Sequence, residues 1–195
     1  QKTRPDPQVL KTCKDGILQQ IEKMNAIVER VRSYAQKPPN RHTAVPLSSL
    51  CAQIAENERI RARRKRNVRL EADVAPNVVV LGDSLEIELA VNNLVRNAVE
   101  HSPAENGRIL LKLQREGTQA VFSVTNNGER LSAERIKVLS EPFVSGSRNG
   151  LGLGLAIVNT IVEAHRGHID FQPREAGGLT VTIRLPVAVE EYKHE

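Results

Sequence analysis

Residues 150–155 alternate glycine with leucine, and they constrain the fold of this chain more than any other stretch. Glycine loses more backbone entropy than any other residue when it is fixed, so this alternation suits neither a helix interior nor a strand. It suits a loop whose amides approach a ligand closely. The apolar periodicity of residues 156–165 predicts a helix directly after the loop. The start of such a helix presents free N–H groups and the positive end of its dipole, which favour a polyphosphate ligand.

Two better-known phosphate-binding motifs do not match this loop. A Walker loop needs a lysine followed by Ser or Thr after its last glycine, whereas Leu155 and Ala156 follow here. A dinucleotide fingerprint needs Gly or Ala three positions after Gly154, and Ile157 occupies that position. Taken alone, the loop therefore leaves two interpretations, a phosphate-binding loop of another kind or a hinge with incidental glycines.

Three further motifs accompany the glycine loop. Asn93 and Asn97 lie four residues apart, on one face of a predicted helix. Residues 124–128 read as a strand that ends in Asn-Asn-Gly, and residues 141–143 are Glu-Pro-Phe. Order and spacing resemble the N, G1, F and G2 boxes of sensor histidine kinases, within the superfamily of gyrase, Hsp90 and MutL ATPases. The resemblance covers the chain from about residue 45 to residue 186.

This resemblance implies both a fold and a function. The fold would be the Bergerat ATP-binding fold, an α/β two-layer sandwich in which helices cover a mixed, largely antiparallel sheet. The function would be the catalytic, ATP-binding part of a sensor histidine kinase, with ATP and Mg²⁺ as cofactors. Such a kinase transfers the ATP γ-phosphoryl group to a histidine, for relay to the receiver domain of a response regulator. We expect a cytoplasmic location, as the cytoplasmic portion of a membrane-anchored sensor.

The apolar pattern divides the chain into two parts. A seam of apolar residues recurs at alternating steps of four and three: Ile17, Ile21, Met24, Val28, Val31 and Ala35. This spacing is typical of a helix in a coiled coil or bundle, and two prolines at 38 and 39 end it. We interpret residues 1–39 as the second helix of an incomplete dimerisation hairpin, through which the chain forms a homodimer. Residues 40–195 would form the catalytic ATP-binding domain.

A histidine box that could accept the phosphoryl group is not recognisable in this sequence. His42 and Pro46 resemble one faintly, but their spacing is one residue short and they follow the helix stop. We interpret His42 as a surface or linker residue. The phospho-accepting histidine is therefore expected on a helix that is missing from this chain.

The resemblance assigns roles to the residues of the asparagine helix. Asn97 matches the metal-binding asparagine of the family, and an amide oxygen is a hard ligand that suits Mg²⁺. In the hydrolysing relatives the position of Asn93 holds a glutamate that activates water, and an amide lacks the basicity for that role. We therefore expect Asn93 and Asn97 to be catalytic, with little hydrolysis of bound ATP. His101 aligns with an aromatic residue that stacks on adenine, and an exposed helix-end histidine is the alternative.

The first glycine box departs from the family pattern. Asn126 stands where the family usually has an aspartate that accepts a hydrogen bond from the adenine amino group. An amide oxygen can still accept that bond, although the charge-assisted part is lost. Gly128 is retained, but Arg130 replaces the usual second glycine, and Glu100 stands where Lys or Arg commonly contacts phosphate.

The short lid, residues 144–149, precedes the glycine loop. Arg148 within it would supply a cation for the phosphates. Arg96 is the alternative, unless it pairs with Glu100 one helical turn away. Phe143 would plug the base of the lid. Besides Asn93, Asn97 and Asn126, the expected ATP-binding set consists of His101, Gly128, Phe143, Arg148, Gly150, Leu151, Gly152, Leu153, Gly154 and Leu155.

The composition of the chain limits which classes of binding partner are expected. The formal net charge is +5, and much of the excess lies in the basic run at residues 59–66. That run could bind nucleic acid or acidic lipid, but cations also suit the C-terminal end of a helix, and we favour that interpretation. Aromatic residues are only 3% of the chain, which argues against a base-stacking platform and a nucleic-acid partner. The two cysteines, Cys13 and Cys51, form no CxxC motif, which favours a reducing, cytoplasmic setting.

Two other functions compete with a kinase. An ATPase of the same superfamily is disfavoured because Asn93 replaces the basic glutamate. A degenerate domain that signals as a scaffold is favoured by three departures from the family pattern, Glu100, Asn126 and Arg130. A DNA-binding function would rest on the basic run alone.

Overall fold

The computed structural model describes residues 43–66, 68–139 and 154–188. The chain divides into two compact units, Gln1–Pro39 and Asn40–Glu195, and all described residues belong to the second. The coiled-coil seam, Cys13, His42 and the lid lie outside the described residues. The assignment of residues 1–39 to a dimerisation hairpin therefore stays a prediction.

Strands and helices alternate along the described part of the chain. In order they are β1 (Thr43–Pro46), α1 (Leu47–Arg66), β2 (Arg69–Val74), β3 (Val79–Gly82), α2 (Ser84–Glu100), β4 (Arg108–Glu116), β5 (Gln119–Asn126), α3 (Ala133–Lys137), α4 (Gly154–Ala164), β6 (His168–Pro173) and β7 (Leu179–Pro186).

Five of these strands form one sheet in the order β2-β4-β5-β7-β6. Strands β2 and β4 pair in parallel, and the other three pairs are antiparallel. This confirms the predicted α/β class with a mixed, largely antiparallel sheet. The single sheet of the prediction was incomplete, because β1 and β3 pair with each other in a separate two-stranded sheet. One bridge, between Val80 and Val187, links β3 to the segment after β7.

The core lies between one face of the five-stranded sheet and the helices. Strands β4 and β5 bury every second residue on that face: Ile109, Leu111, Leu113, Ala120, Phe122 and Val124. Helix α2 buries an apolar stripe at helical spacing against them, as its sequence predicted. Most of these side chains are aliphatic, in keeping with the low aromatic content. Burial of Cys51 in α1 raises the pKa of its thiol to about 12, so the thiol stays neutral in this core.

Helix α1 differs from its sequence prediction at two positions. Sequence preferences allow Ser48 or Ser49 as the N-cap of this helix, but the helix already begins at Leu47. The Ser48 hydroxyl instead donates to the carbonyl of Ala75 at 2.7 Å and accepts from the N–H of Val78 at 2.8 Å. The apolar pattern of the sequence predicts that Ile60 faces inward, yet 47% of its surface is exposed. Local capping and periodicity rules did not reveal the tertiary contacts that determine these two positions.

Sequence preferences allow Asp83 or Ser84 as the N-cap of α2, and the structure selects between them. Asp83 is the N-cap, and its carboxylate accepts hydrogen bonds from the N–H groups of Leu85 at 2.9 Å and Glu86 at 3.2 Å. These bonds satisfy two of the amides that a helix start leaves without intrahelical partners.

His165, directly after α4, holds the start of α2. Its Nδ1 lies 2.7 Å from the carbonyl of Ile161, and its Nε2 accepts the backbone N–H of Asp83 at 3.0 Å. A neutral imidazole with the proton on Nδ1 satisfies both bonds. The ring packs so closely on Gly82 that an added Cβ would lie 2.3 Å from its Cδ2. A buried histidine thus links two helix ends.

We predict that His165→Ala lowers the free energy of unfolding by about 2–4 kcal/mol, because it removes two buried hydrogen bonds and leaves a cavity. Denaturation with urea, followed by circular dichroism, measures this loss. His168→Ala, which removes an exposed histidine at the start of β6, is the matched control and should change stability by less than about 0.5 kcal/mol. Equal losses in the two variants would contradict the linking role of His165.

Candidate functional site

Helix α2 carries Asn93 and Asn97, and the start of α4 packs against both. A Cβ added to Gly154 would lie 3.2 Å from Nδ2 and 3.4 Å from Oδ1 of Asn97, and 3.5 Å from Oδ1 of Asn93. The last glycine of the loop therefore has its Cα close to both amides. A larger residue at this position would crowd them.

The two asparagine side chains are held differently. The Asn93 Nδ2 donates to the carbonyl of Leu89 at 2.8 Å, one turn earlier in α2, which leaves its Oδ1 on the side of Gly154. Within the described residues, no hydrogen bond engages the side chain of Asn97. Asn97 also lies within α2 rather than at either end, so helix capping does not account for it.

The N-terminus of α4 points into this region. The helix has 11 residues, begins at Gly154, and has no acidic residue in its first turn. Its leading N–H groups and the positive end of its dipole therefore meet no carboxylate of that turn, which is the arrangement that favours a bound anion. Leu155, partly buried, packs on the core and anchors this end of the helix.

Asn126 ends β5 and is only 6% exposed. Its Oδ1 accepts the backbone N–H of Leu179 at 2.9 Å, across the end of the β5–β7 pair. Its carbonyl accepts a hydrogen bond from Nη1 of Arg174 at 3.1 Å. The amide oxygen that the sequence analysis assigned to adenine therefore already has a partner within the protein.

Gly128 brings this strand end to the C-terminal end of α2. A Cβ on Gly128 would lie 2.1 Å from the carbonyl oxygen of His101, the C-cap residue of α2, and 2.9 Å from Nδ2 of Asn126. The absence of a side chain at this position thus permits the contact between strand and helix. The His101 side chain is exposed, and its role in base stacking stays a prediction.

The structure therefore brings together one part of the predicted site. Asn93, Asn97 and Gly154 lie at one contact, and Asn126, Gly128 and the backbone of His101 lie at another. Arg96 and Glu100 are both exposed on α2. The remaining predicted site residues lie outside the described residues: Phe143, Arg148, Gly150, Leu151, Gly152 and Leu153.

Sequence reasoning missed the residues of the β6–β7 turn that hold Asn126. From sequence alone, Gly177 and Gly178 indicate only the turn of a hairpin, and both have positive φ, at 91° and 90°. A Cβ on Gly178 would lie 2.0 Å from the backbone oxygen of Asn126. The adjacent glycines were the available signal, but neither their partner nor the bond from Leu179 can be read from local pattern.

The basic run at the end of α1 begins with arginines that have partners. Arg59 pairs with Glu56 and donates from Nε to the carbonyl of Leu70 at 3.3 Å. Arg61 lies 3.4 Å from the carboxylate of Glu58. These pairs reduce the free positive charge at the first part of the run.

Comparison with known proteins identifies the family. Residues 82–189, more than half of the 195-residue chain, match the family described as histidine kinase-, DNA gyrase B-, and HSP90-like ATPase. The chain belongs to this family. The matched region begins just before α2 and includes both contacts described above. The family predicted from the asparagine and glycine motifs is confirmed.

The relatives that the chain resembles include a kinase and a sensor protein. Sporulation kinase B of Bacillus subtilis is 29% identical over 170 residues, which cover 87% of this chain and 40% of the relative. Sensor protein CutS of Streptomyces coelicolor is 36% identical over 180 residues, which cover 89% of this chain and 40% of the relative. The chain thus spans about two fifths of the length of these relatives.

A solved structure shows the same architecture. The histidine kinase ThkA, in complex with the response regulator protein TrrA, is 26% identical and matches with a TM-score of 0.75. The match covers 97% of this chain and 55% of that chain. Among the helices that the structure describes here, none has the length and apolar character needed to cross a membrane.

We predict that Gly178→Ala destabilises the domain more than Gly117→Ala does. Both glycines have positive φ, so each substitution carries a backbone cost of about 1–3 kcal/mol. Only at Gly178 does the new methyl group meet the Asn126 backbone, since nothing lies within 4 Å of a Cβ at Gly117. Thermal unfolding of the two variants measures the difference. Equal melting temperatures would show that the turn does not depend on close approach to Asn126.

Proposed function

We propose that this chain is the catalytic, ATP-binding part of a sensor histidine kinase. It binds ATP with Mg²⁺ and transfers the γ-phosphoryl group to a histidine on a helix outside this chain. One observation carries the proposal: the amides of Asn93 and Asn97 meet Gly154 at the start of α4. This contact joins two separate motifs, about 60 residues apart in sequence, at one helix N-terminus that suits phosphate.

The polyphosphate would lie against the start of α4 and the glycine loop that leads into it. Backbone N–H groups there would donate to phosphate oxygens, and the helix dipole would favour their negative charge. Arg148 would add a cation from the lid, and Phe143 would close its base.

The residues present fit a metal ion that is held mainly by the nucleotide. Among the described residues, no group of three His, Cys, Asp or Glu side chains could form a protein-only metal site. Mg²⁺ typically combines one or two protein oxygens with substrate phosphates and water. Asn97 offers one such oxygen, on a side chain without a hydrogen bond in the described structure. When bound, the metal ion would neutralise charge on the phosphates.

The chemistry would depend on positioning rather than on a base within this site. Asn93 is bonded to the carbonyl of Leu89 and has no basic group with which to activate water. Phosphoryl transfer needs little covalent help from the protein and is accelerated mainly by alignment and charge stabilisation. A histidine from outside the chain would therefore act as the nucleophile, and hydrolysis would be slow.

We further propose that the intact protein is a dimer that signals to a response regulator. The apolar seam of residues 17–35 supports dimerisation through the N-terminal helix. Similarity to ThkA, whose structure includes the response regulator protein TrrA, supports a receiver domain as the partner. Similarity to sensor proteins supports a cytoplasmic position for this part of a membrane-anchored sensor.

One observation favours a second candidate, a degenerate domain that acts as a scaffold. The amide oxygen of Asn126 already accepts the Leu179 N–H, so one of its two lone pairs is left for an adenine contact, without the charge of the aspartate that the family usually has. Failure of the folded chain to bind any nucleotide at millimolar concentration would favour the scaffold over the kinase.

We predict that Asn97→Ala weakens ATP binding in Mg²⁺ by about tenfold or more, the usual cost of losing a group that supports a metal site. In EDTA the same variant should bind ATP nearly as the unmodified chain does, because no metal ion links the amide to phosphate. Isothermal titration under both conditions measures the difference. Asn92→Ala, on the same helix but outside the predicted site, is the matched control. Equal weakening in Mg²⁺ and EDTA would assign Asn97 a structural role instead.

We also predict that the chain does not phosphorylate itself. After incubation with γ-labelled ATP and Mg²⁺, no stable label should appear on the five histidines: His42, His101, His165, His168 and His194. Adding a helical hairpin from the intact protein that carries the acceptor histidine should give label on that hairpin. Label on the chain's own histidines would contradict the proposal that the acceptor histidine lies elsewhere. Rapid phosphate release without transfer would show that water, rather than a histidine, is the acceptor.

A further inference from the structure

The loop between α2 and β4, residues 101–107, is held at both of its ends by the residues that follow β5. At the start of this α2–β4 loop, a Cβ on Gly128 would lie 2.1 Å from the carbonyl oxygen of His101, so the two backbones are in close contact. At its end, the side chain of Asn127 forms hydrogen bonds with the backbone on both sides of Gly107. Two successive residues after the strand therefore hold the whole loop.

The side-chain amide of Asn127 takes the place of a peptide group. The β4–β5 ladder ends one residue before Asn127. The Asn127 N–H still donates to the carbonyl of Arg108 at 3.3 Å, but the Arg108 N–H donates to the side-chain Oδ1 of Asn127 at 2.7 Å. The Nδ2 donates to the carbonyl of Asn106 at 2.9 Å. An amide offers the acceptor and the donor of a peptide group, so the side chain continues the ladder while the main chain leaves it.

The α2–β4 loop has few alternative conformations. Asn106 has a positive φ of 59°, which non-glycine residues seldom adopt. A Cβ on Gly107 would lie 2.5 Å from the carbonyl oxygen of Pro103, so the loop folds closely on itself. The bonds that Asn127 forms at the end of the loop therefore also limit where its first residue, His101, can lie.

Both side-chain bonds of Asn127 are exposed to solvent. Water competes for such bonds, so their net contribution to the stability of the whole domain is modest. Their geometric effect is separate from that contribution, because they select one arrangement of a tightly folded loop. We therefore expect the loss of these bonds to displace His101 without unfolding the domain.

We infer that Asn127 is a positioning residue, which fixes the α2–β4 loop and so holds His101 in place to stack on the base of a bound nucleotide. The inference rests on the proposed nucleotide site and adds to it a residue that acts through His101. Asn127, the loop and His101 all belong to the described part of the chain. They concern the base of the nucleotide rather than its phosphates.

A double-mutant cycle tests whether Asn127 acts through His101. The full 195-residue chain is titrated with ATP in Mg²⁺, as the unmodified chain, Asn127→Ala, His101→Ala and the double variant. His101→Ala should weaken ATP binding about fivefold or more, because it removes a ring that stacks on the base. Asn127→Ala alone should weaken ATP binding about threefold or more. In the His101→Ala background, the same change should have less than about a twofold effect, because no ring is left to position.

Asn127→Asp gives a second cycle with His101→Ala. Its carboxylate can still accept the Arg108 N–H, but it has no donor for the Asn106 carbonyl. The charge that it introduces acts on ATP in both backgrounds, so this effect cancels from the coupling. The Asp cycle should show coupling of the same sign as the Ala cycle. It keeps the inference testable if Asn127→Ala does not unfold cooperatively.

The NMR signals of the His101 ring protons provide a readout that a merely structural role of Asn127 would not change. Saturating ATP should shift these signals upfield in the unmodified chain, because the ring current of the purine acts on a stacked imidazole. The shift should be smaller in Asn127→Ala. Gln172→Ala is the matched control, because it removes another exposed amide, whose Nε2 donates to Asp170 at 2.8 Å. It should leave the ATP affinity and the shift unchanged.

The possible failures can be distinguished. If ATP binds but the effects of Asn127→Ala and His101→Ala are additive, the nucleotide site stands and the positioning role of Asn127 is wrong. An unshifted His101 signal at saturating ATP, or an equal loss of affinity in Gln172→Ala, would also overturn it. If the unmodified chain unfolds cooperatively but binds no nucleotide, the proposed function fails and the inference fails with it.

Discussion

Helices α2 and α4 contact each other near both of their ends, and these two contacts determine the arrangement of the candidate site. At one end, His165 accepts the N–H of Asp83 and packs on Gly82. At the other end, Gly154 packs against Asn97 and Asn93. The start of α4 therefore lies near the C-terminal half of α2, and the end of α4 lies near the start of α2. A shift of either helix along its axis would separate the asparagines from the phosphate-binding helix terminus.

The sheet makes a second, independent contribution. Strand β5 ends at Asn126, and β7 begins with Leu179, whose N–H orients the Asn126 amide. Gly178 lets the β6–β7 turn approach that strand end, and Gly128 lets the strand approach the end of α2. The helix pair thus positions the groups suited to phosphate, while the strand ends position a group suited to a base. Because the helix pair and the strand ends are different elements, a substitution that changes the chemistry of one group need not rearrange the other.

Much of the fold could be predicted from sequence because it depends on local rules. The cap at Asp83 and the β4–β5 turn at Gly117 follow from the preferences of single residues and short periods. Local rules gave the wrong role for Ser48, because its hydroxyl forms hydrogen bonds with residues about 30 positions away. The pairing of β1 with β3 was missed for the same reason. In the site, the motifs placed the asparagines and glycines in one expected ATP-binding set, but the orientation of the Asn126 amide depends on a partner 53 residues away.

The pairing of β5 with β7 has a consequence for how the domain folds. The β4–β5 and β6–β7 hairpins join neighbouring segments and can form early at little entropic cost, whereas the β5–β7 ladder encloses more than 50 residues. The bond between Asp83 and His165 spans 82 positions. Both parts of the candidate site therefore depend on late, long-range closures, so a nascent or partly unfolded chain would keep its hairpins but lack a competent site.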